Sequence, residues 1–143
     1  MAGEVILGYD GQEGSEAALR TATQIAGAFK RTLVLVFGYQ PALIGGNFTD
    51  LSKAVREIGE QLTADAVATV HAIDESVKVE VQLVDNRPAE AILEAADAYD
   101  ALAIVVAAAD QGPVRGGLLG SVTYQIVHRS TRPVVVVPDP DED

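Results

Sequence analysis

Short apolar runs alternate with longer stripes of helical spacing along the whole of this chain. Glu4 to Leu7 opens the first run, which stops at Gly8-Tyr9-Asp10-Gly11. A helix is predicted from Ser15 and Glu16, a hydroxyl able to cap free amides followed by an acid in the first turn. Ala18, Ala22, Ile25, Ala26 and Phe29 give that helix one apolar face. Leu33 to Phe37 is continuously apolar, the pattern of a strand covered on both sides. Pro41 through Asp50 reads as a long loop. Asp50 is placed to cap a second helix, striped by Leu51, Val55, Ile58, Leu62 and Ala66.

Val77, Val79, Val81 and Leu83 alternate with Lys78, Glu80 and Gln82, which predicts a strand at or near a sheet edge. Pro88 suits the first turn of a third helix, where a missing N–H costs nothing, and Ile92, Ala95, Ala96 and Tyr99 form its buried side. Ala101 to Val106 is the most apolar strand and is expected at the centre of the sheet. A glycine-rich loop leads into a helix over about Ser121 to Ser130, and the last strand is Val134 to Val137, bracketed by Pro133 and Pro138.

Strict alternation of strand and helix requires crossover connections, and these are right-handed, so the strands run parallel in one open, doubly wound α/β sheet. Such sheets take ligands at the carboxyl ends of their strands, where the winding reverses. Two loops fall there: Asp10 to Gly14 after the first strand, and Ala107 to Gly120 after the fourth.

Length and composition narrow the class. At 143 residues, 48% of them hydrophobic, the chain is sized for one domain with one core, which excludes a disordered body. Without cysteine there is no disulfide, thiolate metal site or cysteine nucleophile. Glu4 stands where a signal peptide would carry lysine or arginine, and the longest apolar run, Ala101 to Ala109, is too short to span a bilayer. A soluble cytoplasmic protein is expected. The net charge of −11 repels phosphate backbones and anionic lipid, so neither nucleic acid nor membrane is an expected partner. Residues 139–143 form an acidic tail behind a domain spanning 1–138.

Three stretches resemble the universal stress protein family. VILGYDGQEGSEAAL is similar to its first strand, Asp-Gly turn and first helix. VEVQLVDNRPAEAILEAADAYDALAIVV is similar to its third strand, proline-led helix and fourth strand, and GLLGSVTYQIVHRSTRPVVVVP to its C-terminal signature. The resemblance implies a Rossmann-like, adenine nucleotide alpha hydrolase-like fold with five strands in the order 3-2-1-4-5 and four helices. It also implies an ATP or AMP site, with magnesium only alongside ATP, touching Asp10, Gly38, Ala107, Asp110, Arg115, Gly120, Ser121 and Val122.

ATP-binding members carry Gly, two residues, Gly, nine residues, Gly, then Ser or Thr. Gly120-Ser121 fills the final pair, but counting back places Asp110 and Ala107 where the two earlier glycines belong. Glycine lets backbone amides close on a phosphate without a Cβ clash. Ala107 crowds that approach, and the Asp110 carboxylate repels a polyphosphate. Gly112, Gly116, Gly117 and Arg115 remain in the loop, and the helix opening at Ser121 offers amides and a dipole.

Each residue also has a structural reading. Asp10 either bonds a nucleoside or bonds its own turn. Ser121 either touches phosphate or caps its helix, Gly120 serves the tight turn, and Arg115 faces solvent. His71 and His128 lack metal-ligand spacing and belong at exposed helix ends, while Tyr9 and Tyr124 could lie near the cleft. No Ser-His-Asp order or carboxylate pair supports an enzyme beyond slow ATP hydrolysis.

Two functions follow: a non-enzymatic stress-response protein with a degenerate nucleotide loop, or a nucleotide-binding switch or weak ATPase on the same site. A phosphoacceptor receiver domain is set aside, since Asp139, not lysine, follows the final valines; a flavodoxin is set aside because GQEGSE is too acidic for a flavin phosphate. The resemblance further implies a homodimer pairing Val134 to Val137 with its twin. Pro133, Pro138 and the acidic tail are the alternative protection of that edge.

Overall fold

The computed structural model describes residues 3–11, 14–39, 48–108 and 119–139. Along the chain it forms β1 (Val5–Gly8), α1 (Ser15–Phe29), β2 (Leu33–Tyr39), α2 (Phe48–Ile73), β3 (Val79–Asp85), α3 (Pro88–Ala98), β4 (Ala103–Ala107), α4 (Ser121–Arg129) and β5 (Val134–Val137). The sheet runs β3-β2-β1-β4-β5, and every neighbouring pair is parallel. The predicted doubly wound order is therefore the order found.

Side-chain alternation along the strands builds two cores. Val5, Leu7, Leu33, Leu35 and Val105 face α1 and α2, where they meet Leu19, Ala22, Ala66 and Val70. Ile6, Val34, Val36, Ile104 and Val106 face α3 and α4, where they meet Ile92, Ala96 and Ile126. Burying a side chain of this size stabilises the fold by about 1.5–3 kcal/mol against leaving it wet. The strand expected at the centre, Ala101 to Val106, is displaced by one place: β1 is central and β4 lies beside it. Both strands are covered on both faces, so apolar content alone does not separate them.

Helix boundaries follow local chemistry. Pro88 opens α3 behind Arg87, which is extended. α1 closes at Lys30, in the left-handed region at φ 56°, while Arg31 N–H bonds Ala26 O at 2.9 Å. α2 begins at Phe48, two residues before the expected cap, so Asp50 lies inside its first turn. Its buried stripe is also rotated from the expected one. Gly59, Thr63, Ala66 and Val70 face inward, and Ile58 stands 59% exposed. Thr63 tolerates that face because its hydroxyl donates to Gly59 O at 2.8 Å. Phe29, expected on the apolar face of α1, is 60% exposed because it lies past Ala26, the last buried member of its stripe.

The edges are as predicted: β3 at one side, β5 at the other. Val81 stays partly exposed on β3, and Val134 to Val136 are half-buried on β5. Between α3 and α4, Arg129 grips Glu90 with two nitrogens at 2.6 and 2.9 Å, holding that carboxyl below its ordinary pKa. Arg132 reaches Asp100 at 2.8 Å.

Gly38 marks where β2 and α3 come closest. A Cβ there would stand 2.8 Å from Pro88 Cα and 3.0 Å from Ala91 Cβ. Backbone cannot rotate away as a flexible side chain can. Gly38→Ala is expected to lower the unfolding free energy by about 1–3 kcal/mol, read as an earlier urea midpoint with an unchanged slope.

Candidate functional site

The winding reverses between β1 and β4, so the carboxyl ends of those strands bound the cleft. At the end of β1, Tyr9 N–H still donates to Val36 O at 3.0 Å, which carries the ladder one residue further. Gly11 then turns the chain at φ 76°, and a Cβ there would also meet Leu62 at 2.9 Å. Asp10 is exposed between them.

Ser15 is used differently from the expected cap. Gly14 occupies the N-cap, and Ser15 is the first helical residue, only 3% exposed. Its hydroxyl donates across the turn to Asp10 Oδ1 at 2.5 Å. The strand-end carboxylate is thus tied to the helix that follows it. Charge-assisted bonds of this kind are stronger than neutral ones.

The fourth strand meets its helix by a second tie. Thr123 Oγ1 donates to Ala107 O at 2.6 Å, and Gly120 N–H donates to Ala108 O at 2.9 Å. Ala108 N–H in turn bonds Val137 O at 2.8 Å. The loop that leaves β4 therefore returns to α4 at one fixed point. Thr123 is 2% exposed, and sequence reasoning passed over it. The available signal was a hydroxyl three residues before Ile126, on the buried side of a short helix.

Gly120, not Ser121, is the N-cap of α4; Ser121 is the first residue of the helix and is exposed. Val122 is half-buried and packs against the α3/α4 core. Gly38 is near the end of β2 but is occupied in packing α3. Asp110 and Arg115 lie outside the described residues. The structure thus brings Asp10, Ala107, Gly120 and Ser121 to the ends of two adjacent strands, while Val122 packs on the α3/α4 core and Gly38 lies near the end of β2.

Charge divides the cleft. Burial pushes the Tyr9 phenol above its ordinary pKa, and the carboxylates of Glu16, Asp10 and Asp65 push it the same way. Acid therefore gathers on the β1/α1 side. The first turns of α1 and α3 carry Glu16 and Glu90, whereas the first turn of α4 carries no acid. A helix start has a partial positive charge of roughly half an elementary unit, so an anion is better placed at α4 than beside Tyr9. His71 and His128 are both exposed in last turns, as expected, and the Tyr124 ring lies tilted against His128 with ring centres 4.2 Å apart. Among the described residues no group of three His, Asp or Glu side chains forms a metal site, and no helix is long and apolar enough to cross a membrane.

The model of the universal stress protein family matches residues 1–138. The chain belongs to that family. The universal stress protein in the QAH/OAS sulfhydrylase 3' region of Thermus aquaticus is 32% identical over 136 residues, covering 93% of this chain and 96% of the relative. Stress response protein NhaX of Bacillus subtilis is 23% identical over 95% of this chain and 98% of its own length. Among solved structures, a universal stress protein in complex with cAMP superposes with a TM-score of 0.74 at 26% identity, covering 97% of this chain and 99% of that one. The Archaeoglobus fulgidus universal stress protein in complex with dAMP gives a TM-score of 0.69 at 20% identity, covering 96% and 98%.

The tie between Thr123 and Ala107 is testable by itself. Thr123→Val keeps the shape and leaves the carbonyl without its hydroxyl partner, at an expected cost of about 1–3 kcal/mol. Amide exchange at Gly120 should quicken in the same variant; unchanged exchange would show that the loop base does not depend on this bond.

Proposed function

We propose that this protein is a non-enzymatic, cytoplasmic stress-response protein of the universal stress protein family whose cleft retains the nucleoside half of an adenine-nucleotide site and has lost the polyphosphate half. The observation that carries the reading is the pairing of Asp10, at the end of β1, with an acid-free helix start at Gly120-Ser121, at the end of the neighbouring strand's loop. That arrangement has one end for hydroxyl or ring donors and one for an anion. Two sequence features oppose a longer phosphate chain. Ala107 and Asp110 stand where ATP-binding relatives carry glycine, and the N–H groups of Ala108 and Gly120, donors that a phosphate could use, are already given to Val137 O and Ala108 O. Two of the similar structures are complexes with cAMP and dAMP, each bearing one phosphate.

A second reading, an ATP-binding switch or slow ATPase using magnesium, draws on Gly112, Gly116, Gly117 and Arg115 as replacements for the missing glycines. Calorimetric titration with AMP and ATP, with and without magnesium, separates the two. AMP is expected to bind with an affinity at least tenfold above that of ATP, without magnesium dependence. Ala107→Gly combined with Asp110→Gly should then narrow the gap. Tighter binding of ATP than AMP, with release of phosphate, would establish the second reading.

The protein acts, on this proposal, as a homodimer through β5. Four valines leave an unpaired strand edge, and Tyr124 and Val127 on the adjoining α4 are 56% and 42% exposed. An apolar strip beside an open ladder suits an identical strip brought up by a two-fold axis. Val135→Lys should sediment as a folded monomer, with circular dichroism confirming the fold; a persistent dimer would place the contact elsewhere.

A further inference from the structure

Serine at the start of a helix ordinarily spends its oxygen on the helix's own amides. Ser15 does not occupy the capping position, since Gly14 does. Its hydroxyl is buried and donates to Asp10 Oδ1 at 2.5 Å. Asp10 itself is exposed, at the mouth of the cleft, on a turn set by Gly11. Each bond that holds a short, exposed carboxylate in one rotamer lowers what a ligand that needs that rotamer loses to ordering it.

We infer that Ser15 is a positioning residue for ligand recognition: it fixes the rotamer of Asp10 so that the carboxylate meets a nucleoside hydroxyl already aimed. This rests on the reading of Asp10 as the nucleoside-binding end of the cleft. The division of labour is geometric. Asp10 Oδ1 accepts the serine O–H, which holds that oxygen toward α1 and restrains the direction of Oδ2. The tether also crosses from the end of β1 to the first residue of α1, two elements whose buried faces lie in the same core. The aim of Asp10 is therefore referred to the rigid part of the molecule rather than to the turn.

The role predicts a pattern that a purely structural hydrogen bond does not. Ser15→Ala should weaken AMP about fivefold, the scale expected for releasing one immobilised side chain. The loss should vanish in an Asp10→Ala background. It should vanish equally for whichever of 2'-deoxy-AMP and 3'-deoxy-AMP lacks the hydroxyl that Asp10 reads. A double-mutant cycle by calorimetry at one salt concentration measures all of these, with thermal midpoints of each variant recording any change in stability. Equal AMP affinity of wild type and Ser15→Ala overturns the inference and leaves the nucleoside site standing. An equal loss in the Asp10→Ala background overturns it as well, since Ser15 would then act without Asp10. No AMP binding by the wild type overturns the nucleoside reading and this inference together.

Discussion

The geometry of this molecule hangs on β1, four residues long and hydrogen-bonded on both sides. Val5, Ile6 and Leu7 have no exposed surface, and their registers with Leu33 to Leu35 and Ala103 to Val105 set where every other strand begins. A parallel strand cannot be paired by a tight turn, so each neighbour comes with a crossover helix. The chain leaves β1 toward β2 and β3, then returns past it to β4 and β5. The cleft is the gap that this change of direction leaves, and its walls are the first residues after β1 and β4. Burial, topology and the site are thus one constraint seen at different distances.

Within that frame, short side-chain ties convert strand ends into defined positions. Ser15 to Asp10 and Thr123 to Ala107 are the same device on adjacent strands: a buried hydroxyl in the first turn of the following helix holds a group at the end of the preceding strand. Each tie removes freedom where the backbone has just left the ladder. The cost of ordering a loop is met in part at its base, where the folded sheet already fixes one end. Both hydroxyls are buried, so breaking either bond while the hydroxyl remains leaves a donor that water does not reach.

Much of the fold was legible because it is written in periodicity. The apolar runs at Leu33 and Val134, the alternation at Val77 to Leu83 and the proline at 88 each follow from backbone chemistry that a sequence displays directly. The errors share a cause. Gly59 and Thr63 were not counted as inward residues because neither is a large hydrocarbon; one gives close approach and the other satisfies its own hydroxyl, so the α2 stripe was rotated toward Ile58. β4 was set at the centre on hydrophobicity, which reports burial on two faces but not rank within a sheet. The site was half legible. Asp10 and Gly120-Ser121 fall on loops that topology selects, whereas the uses of Ser15 and Thr123 depend on where a hydroxyl points, and no spacing states that.

Helix polarity ties these observations to charge. Strands run parallel and crossover helices run back, so helix starts gather at the carboxyl ends of the strands and helix ends at the opposite side. The sequence answers most of this field by itself. Glu16 and Glu90 sit in first turns, and His71, His128 and Arg129 in last turns. At the amino ends of the strands a cavity of about 520 Å³ sets Lys30, Arg31 and Lys78 against Glu4 and Glu80. The start of α4 is treated differently: it has no acid of its own in the first turn and is fastened to β4 at the cleft. In a chain with eleven excess negative charges, a helix start with no acid in its first turn is a local reversal of the global field. On the proposed reading a single phosphate suits that small reversal, and the Asp110 carboxylate that the sequence carries after β4 opposes a polyphosphate.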